Sequence, residues 1–130
     1  MAGNDRLSGG PDTDTADYTD RWSPVRVELD NLADDGAFSE GDNVHSDVEN
    51  VNGGQTDDQL LGDRRANRLR GNGGDELLSG GAGADTLAGG DGNDTLSAVD
   101  GVSHNDTVRG GVGLDTCTAD PGDTKIGCER

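Results

Sequence analysis

The sequence predicts an all-β chain wound as a coil, with two nine-residue units to each turn of the coil. Three observations carry that reading. The stretch "GGAGADTLAGGDGNDTLS", residues 80–97, is one phrase written twice: Gly-Gly-x-Gly-x-Asp-x-Leu-x. Sliding the phrase along the chain gives units that begin at Gly53, Gly62, Gly71, Gly80, Gly89, Gly101, Gly110 and Ala119, and their eighth positions read Leu60, Leu69, Leu78, Leu87, Leu96, Val108, Cys117 and Ile126. Their sixth positions read Asp58, Asn67, Glu76, Asp85, Asp94, Asp106, Asp115 and Thr124. Self-similarity at a fixed period marks a repeat architecture.

Each unit divides into a turn and a strand. The six residues rich in glycine supply a turn that accepts positive φ and brings carbonyl oxygens close together. The last three form a short strand whose central, eighth side chain points inward. Two units make one coil, with turns on opposite edges and leucines stacked between two parallel sheets.

Along the chain, residues 1–18 hold two degenerate copies: "GNDRLS" supplies Asp5 and Leu7, and "GGPDTDTAD", Gly9 to Asp17, supplies Asp14. Residues 19–52 are expected to form a strand-and-loop insertion that caps the N-terminal end. There Val25, Val27 and Leu29 alternate with Arg26 and Glu28, the pattern of a half-buried strand covering the coil, and Tyr18 and Trp22 just before it are expected to be capping hydrophobes. "DNLADDG", Asp30 to Gly36, places its glycine one residue too late for an EF-hand loop. It reads as a solvated acidic loop, with cation binding within Asp30–Asp42 left open. Residues 53–127 form the regular coil, interrupted by three residues, Ala98 to Asp100. Unit 62–70 (GDRRANRLR) keeps only Gly62 and Leu69 of the phrase, and unit 119–127 (ADPGDTKIG) has Thr124 where the acid belongs. The run Thr86, Thr95, Thr107, Thr116 at the seventh position is ordinary β-propensity on an exposed strand. In residues 117–130, a disulfide between Cys117 and Cys128 would close the open end of the coil and fit an oxidising compartment. Two free thiols are the alternative.

Composition excludes much else. Of 130 residues, 28% are apolar and 2% aromatic, and 27 carboxylates face 10 Lys plus Arg for a net charge of -17. Such a surface repels nucleic acid and anionic membrane, whose attraction for proteins comes from Lys and Arg. Cations and basic proteins are the partners it attracts, and no particular protein partner can be named. No stretch approaches the roughly 20 apolar residues of a membrane-spanning helix, and "MAGNDRLSGG" lacks the basic and apolar regions of a signal peptide. The chain is therefore expected to be part of a larger secreted protein, or a monomer exported by another route. His45 and His104 are the only histidines, and no HExxH, GxSxG or phosphate loop occurs. No catalytic residue is expected, and His104 reads as a tolerated turn residue. The third positions, among them Arg64, Asp91 and Val112, form no flat threonine face of the kind used to bind ice.

The tandem pattern GGxGxDxUx, with U a large apolar residue, resembles the RTX repeat of hemolysin-type calcium-binding proteins. Units 80–88 and 89–97 match at all five specified positions, and 110–118 departs only at Cys117. The resemblance implies a parallel β-roll, a right-handed β-solenoid, with Ca2+ as its cofactor. The physical reason is independent of the name. A core one leucine wide is thin against the entropy of ordering the chain, and carboxylates stacked along each edge repel one another. Calcium accepts about six to eight oxygens in flexible geometry, whereas magnesium demands a tight octahedron and gives up its water reluctantly.

In the family, the resemblance implies, each ion sits between turns two units apart. It takes carbonyls of positions two and four and the acid of the earlier turn, with carbonyls of positions one and three and the acid of the later turn. Carried over, the ligand sets are Asn72, Gly74, Glu76 with Gly89, Asp91, Asp94; Gly81, Gly83, Asp85 with Gly101, Ser103, Asp106; and Gly90, Gly92, Asp94 with Gly110, Val112, Asp115. Three ions are expected there. A weaker set joins Gly54, Thr56, Asp58 with Gly71, Gly73, Glu76. The function expected is calcium binding by a secreted, extracellular module that folds on the ion and serves structure or export. The alternative is an accessory domain of a larger secreted hydrolase, epimerase, toxin or adhesin.

Overall fold

The computed structural model describes residues 3–129; Met1, Ala2 and Arg130, at the outer ends of the segments 1–18 and 117–130, lie outside the described residues. The described chain is all strand and turn. Its strands are β1 (Arg6–Leu7), β2 (Thr15–Asp17), β3 (Val25–Glu28), β4 (Gly36–Ala37), β5 (Asn43–Val44), β6 (Asn50–Asn52), β7 (Gln59–Leu61), β8 (Arg68–Gly73), β9 (Leu77–Ser79), β10 (Thr86–Asp91), β11 (Thr95–Ala98), β12 (Thr107–Val112), β13 (Thr116–Ala119) and β14 (Thr124–Ile126).

Alternate strands go to opposite sheets, as a nine-residue unit requires. One six-stranded sheet runs β14-β12-β10-β8-β6-β2 and the other β13-β11-β9-β7-β3-β4, with a short β1-β5 pair beside them. Pairing between these strands is parallel except between β3 and β4, and an isolated antiparallel bridge joins Asp35 to Asp42. The register stacks like on like. In the first sheet Ala16, Val51, Leu69, Leu87 and Val108 lie opposite one another in succession; in the second Val27, Leu60, Leu78, Leu96 and Cys117 do so. All ten are buried, and together they form most of the core. This is a parallel β-roll. The Ala98–Asp100 insertion is absorbed without loss of register: Ala98 extends β11 and is buried opposite Ala119, and Leu87 still meets Val108.

Three expectations change. The segment 19–52 does more than cap: β3 and β6 are themselves rungs, paired in register with β7 and β8, so the roll begins well before Gly53. Trp22 is not a capping hydrophobe. It is 77% exposed in the connection from β2 to β3, while Tyr18 alone enters the core and donates its hydroxyl to Asp42 Oδ2 at 3.1 Å. Ile126 does not point inward. Lys125 lies opposite Val108, and Ile126 lies opposite Arg109 and is 46% exposed. The cause is a shift of one residue: Asp123, not Thr124, takes the sixth place, with Oδ1 accepting from Asp106 N–H at 3.3 Å and Oδ2 from Asp120 N–H at 2.8 Å. A slip of one residue turns every side chain of a strand to the other face.

Candidate metal centres along the turns

The sixth residue of each unit ends the turn and precedes the strand, so its side chain is carried to the edge of the core. Asp58, Asn67, Glu76, Asp85, Asp94, Asp106 and Asp115 are all buried there. Burial of a carboxylate is costly unless it is partnered, and the fold supplies one partner for each of the regular acids. Asp85 Oδ1 accepts from Asn67 N–H at 2.8 Å, Asp106 Oδ1 from Asp85 N–H at 2.7 Å, Asp94 Oδ1 from Glu76 N–H at 2.9 Å and Asp115 Oδ1 from Asp94 N–H at 2.9 Å. The acids thus stitch each coil to the one before it, in two ladders on opposite edges.

The other oxygen is left over. Oδ2 of Asp85, Asp94, Asp106 and Asp115, and both carboxylate oxygens of Glu76, are buried without a hydrogen-bond partner. Carbonyl oxygens crowd the same places. A Cβ at Gly89 would collide with Asp94 Oδ2 and with the carbonyl oxygen of Gly110 one coil on. A Cβ at Gly90 would strike the carbonyl oxygen of Asn72, and one at Gly92 that of Gly74. With φ of +130° and +133° these two residues hold a backbone conformation that favours glycine. The second and fourth carbonyls of the earlier turn therefore face the later turn, where unpartnered carboxylate oxygens also lie. An array of hard oxygens with uncompensated negative charge suits a cation that takes many oxygens in flexible geometry. Among the described residues no cluster of three or more His, Cys, Asp or Glu side chains forms. That is consistent with this design, in which two acids face each gap and backbone carbonyls supply the remainder.

The electrostatics register the same strain. Burial pushes Asp85 up to about 6 and also raises Asp58, Asp94 and Asp106 above the usual carboxylate range. Glu76 is raised too, by burial first and then by the neighbouring Asp94 carboxylate.

The four expected ligand sets are not equivalent. Between turns 71–76 and 89–94, Asp94 Oδ1 accepts Glu76 N–H at 2.9 Å, the carbonyl oxygens of Asn72 and Gly74 lie against Gly90 and Gly92, and the Asp91 carbonyl accepts Gly74 N–H at 3.0 Å. Between turns 89–94 and 110–115 the pattern repeats: Asp115 Oδ1 accepts Asp94 N–H at 2.9 Å, the carbonyl oxygens of Gly90 and Gly92 lie against Gly111 and Gly113, and the Val112 carbonyl accepts Gly92 N–H at 2.8 Å. Between turns 80–85 and 101–106, Asp85 and Asp106 are in register, but Gly101 and Ser103 lie in an exposed turn, and the Gly83 carbonyl already accepts from Asn105 Nδ2 at 2.8 Å. Asp100, from the insertion, occupies that turn: its Oδ2 accepts from Gly83 N–H at 3.3 Å and from Asn105 Nδ2 at 3.2 Å. In the fourth set, Asp58 has both oxygens engaged, by Val25 N–H and Gly54 N–H, although Thr56 Oγ1 nearby is buried and unpartnered.

Unit 62–70 solves the problem differently. Asn67 stands where an acid belongs, and Arg65 in its turn pairs with Glu49 of the preceding rung at 3.3 Å. Here a guanidinium stands beside the acid of the neighbouring turn. Glu49 was missed from sequence, as was Asp42, which accepts Asp5 N–H on Oδ1 at 2.8 Å and is fully buried. The signal is short but present: "DNV" at 42–44 and "ENV" at 49–51 repeat the acid-x-apolar ending, and Val44 and Val51 are core. The loop 30–36 is less solvated than expected. Asp35 is buried, with Oδ1 and Oδ2 accepting from Glu28 N–H at 2.7 Å and Val44 N–H at 2.8 Å, so it welds the excursion to the roll and has no free oxygen. His104 holds a φ of +69° at the lengthened turn, and His45 Nε2 accepts from Arg6 Nε at 2.9 Å.

At the C-terminal end Cys117 and Cys128 are joined in a disulfide. Compared with known families, the chain matches the RTX calcium-binding nonapeptide repeat in four copies, over residues 1–17, 52–87, 70–103 and 89–126. No curated protein matches it.

Proposed function

The chain belongs to the RTX calcium-binding nonapeptide repeat family, and from that premise we propose that it is a secreted structural or export module whose folding is driven by calcium at three sites. The observation that carries this reading is the set of buried, unpartnered oxygens on Glu76, Asp85, Asp94, Asp106 and Asp115. Left without a cation they are a standing cost, since a buried charge without compensation is strongly destabilising. With one they become ligands. Two ions would be held by Asn72, Gly74, Glu76 with Gly89, Asp91, Asp94, and by Gly90, Gly92, Asp94 with Gly110, Val112, Asp115. The third, between Asp85 and Asp106, has the looser turn.

Linkage then sets the biology. An ion that binds the folded roll and not the unfolded chain stabilises it by mass action. Sites of this weak extracellular type fill at calcium of about 0.1–1 mM. The chain would stay unfolded in a low-calcium cytosol and fold outside, where the Cys117–Cys128 bridge also fits.

The test is far-UV circular dichroism during a calcium titration from a chelated start, with magnesium as control. A coil spectrum that turns to β signal with calcium and not with magnesium is expected. A β spectrum already complete in chelator would overturn the proposal.

A further inference from the structure

The outer face of the β2–β14 sheet has a charge opposite to that of the molecule. In a chain of net charge -17, its outward positions carry Arg68, Arg70 and Arg109, with Asp17 the acid on its outermost rung. Among the described residues none of these arginines has an ion-pair partner; the four ion pairs use Arg21, Arg26 and Arg65. Arg70, Ala88 and Arg109 are consecutive in the register, so the two guanidinium-bearing rungs flank a small residue at a separation of about 10 Å, two strand spacings. Arg68 stands two residues before Arg70 on the same face, beside Thr86. These side chains border a shallow groove of about 470 Å³ floored by β10, with Asp91 at its turn end.

Nothing in the roll needs these arginines. They are exposed, they contact no carboxylate, and the coil is closed by the stacked eighth residues and the turn acids. We propose that this face binds an acidic polysaccharide, an extended chain of sugars bearing carboxylates. The inference rests on the roll being folded in calcium and goes beyond it.

The chemistry of the face selects that occupant. A planar guanidinium takes a carboxylate through two parallel hydrogen bonds, while Asn50 and Thr86 beside Arg68 offer amide and hydroxyl groups to sugar hydroxyls. A protein partner is disfavoured, because interface cores are anchored by buried aromatic or large aliphatic side chains and the groove floor offers Ala88 and glycine. Single-stranded nucleic acid is disfavoured too, because it is held by aromatic stacking platforms, and the residues of this face are not aromatic.

The experiment is isothermal titration of the calcium-loaded full chain with a short galacturonate oligomer, with a neutral glucose oligomer as control. Binding of the acidic oligomer alone is expected. Arg70→Ala combined with Arg109→Ala should weaken it by at least about tenfold, while Arg26→Ala on the other sheet should leave it unchanged. If the double alanine variant fails to fold, Arg70→Lys with Arg109→Lys, which keeps the charge and removes the fork, should still weaken binding several-fold. Three results would overturn the proposal: no binding by the wild type, affinity unchanged in both double variants, which would place the oligomer on the calcium edge, or equal binding of a single-stranded oligonucleotide. Circular dichroism on the same samples separates the two readings. An unimpaired calcium response without binding counts against the face alone, and a missing calcium response counts against the module itself.

Discussion

The backbone N–H of Asp94 donates to Oδ1 of Asp115 at 2.9 Å, one coil further on, and leaves Oδ2 of Asp115 buried with no partner. Glu76 stands in the same relation to Asp94, and Asp85 to Asp106. Each acid thus has two tasks on two oxygens: one holds adjacent coils together, the other presents charge to the gap between turns.

Asparagine separates the tasks. In Asp94→Asn the acceptor that holds Glu76 N–H is retained, and the uncompensated charge is removed. The metal-free chain should show no less β structure than the wild type under the same conditions, while the calcium midpoint rises by at least about tenfold, the loss expected when one anionic ligand of a hard-cation site is neutralised. Asp94 belongs to two of the proposed ligand sets, so its effect should exceed that of Asp115→Asn. Asp94→Ala should lose both the stitch and the ligand. Calcium titrations of the three variants, followed by circular dichroism, check the order.

The pH dependence of the metal-free roll should run opposite to that of an ordinary salt-bridged protein. Asp85 is raised to about 6 in the fold, chiefly by burial, and Asp94, Asp106 and Glu76 are raised for the same first reason. A raised carboxyl means that the folded state holds protons which the unfolded chain has already released. Its contribution to stability is full below the unfolded carboxylate range and is lost as pH rises through about 6. In chelator, the far-UV β signal should therefore be stronger at pH 5 than at pH 7.5. With calcium the order reverses, because protons and the ion compete for the same oxygens. Equal β signal at the two pH values in chelator would remove burial as the cause.

Coil spacing is set by backbone contacts at glycines, and this can be read by substitution. Gly92 has φ +133° and no room for a Cβ against the Gly74 carbonyl, whereas Gly101 has φ +85° and nothing within 4 Å of the same point. Gly101→Ala should cost only the left-handed penalty of about 1–2 kcal/mol. Gly92→Ala must also push two coils apart, and its cost should exceed that of Gly101→Ala by at least about 1 kcal/mol. Urea unfolding of the calcium-loaded variants measures the difference.

The regular half of the molecule was legible because one rule governs it. An apolar residue every ninth place can only be buried by stacking, so Leu60 to Val108 and their register follow from spacing alone. The three-residue slip at Ala98 was legible for the same reason, since Leu87 and Val108 must still meet. What was not legible lies where hydrogen bonding, not hydrophobicity, fixes the rung. Val27 is separated from its partner Leu60 by a long excursion, and nothing in the apolar spacing connects them; Asp58, accepting Val25 N–H on Oδ1 at 2.8 Å, does. At the other end the apolar residue misled. Ile126 fits the eighth position by spacing, yet Asp123 satisfies the N–H of Asp106 and carries Ile126 to the outer face. The sixth-position acids were legible as a buried column. The capture of the Gly83 carbonyl by Asn105 required knowing how the inserted residues fold back.

The C-terminal disulfide should act on one calcium site in particular. Cys117 ends the column of eighth-position residues in its sheet, stacked on Leu96, and Cys128 packs against the core beside it. The next residue, Glu129, donates its N–H to the Asp115 carbonyl at 3.1 Å and accepts Asp115 N–H on Oε2 at 3.0 Å. The bridge therefore holds in place the segment that supports Asp115 from behind, where the roll has no further coil. Intact mass should show one disulfide, two protons lighter than the reduced chain. Replacing both cysteines by alanine should cost about 3 kcal/mol, the constraint expected for a loop of this length. Beyond that global loss, the ion bound between Asp94 and Asp115 should weaken more than the ion between Glu76 and Asp94. Calcium titrations of the double-alanine variant, alone and combined with Asp115→Asn, decide between the two effects. A bridge that acted only on the unfolded chain would shift both ions equally, and the two changes would add; a bridge that supports Asp115 makes the second change smaller in the presence of the first.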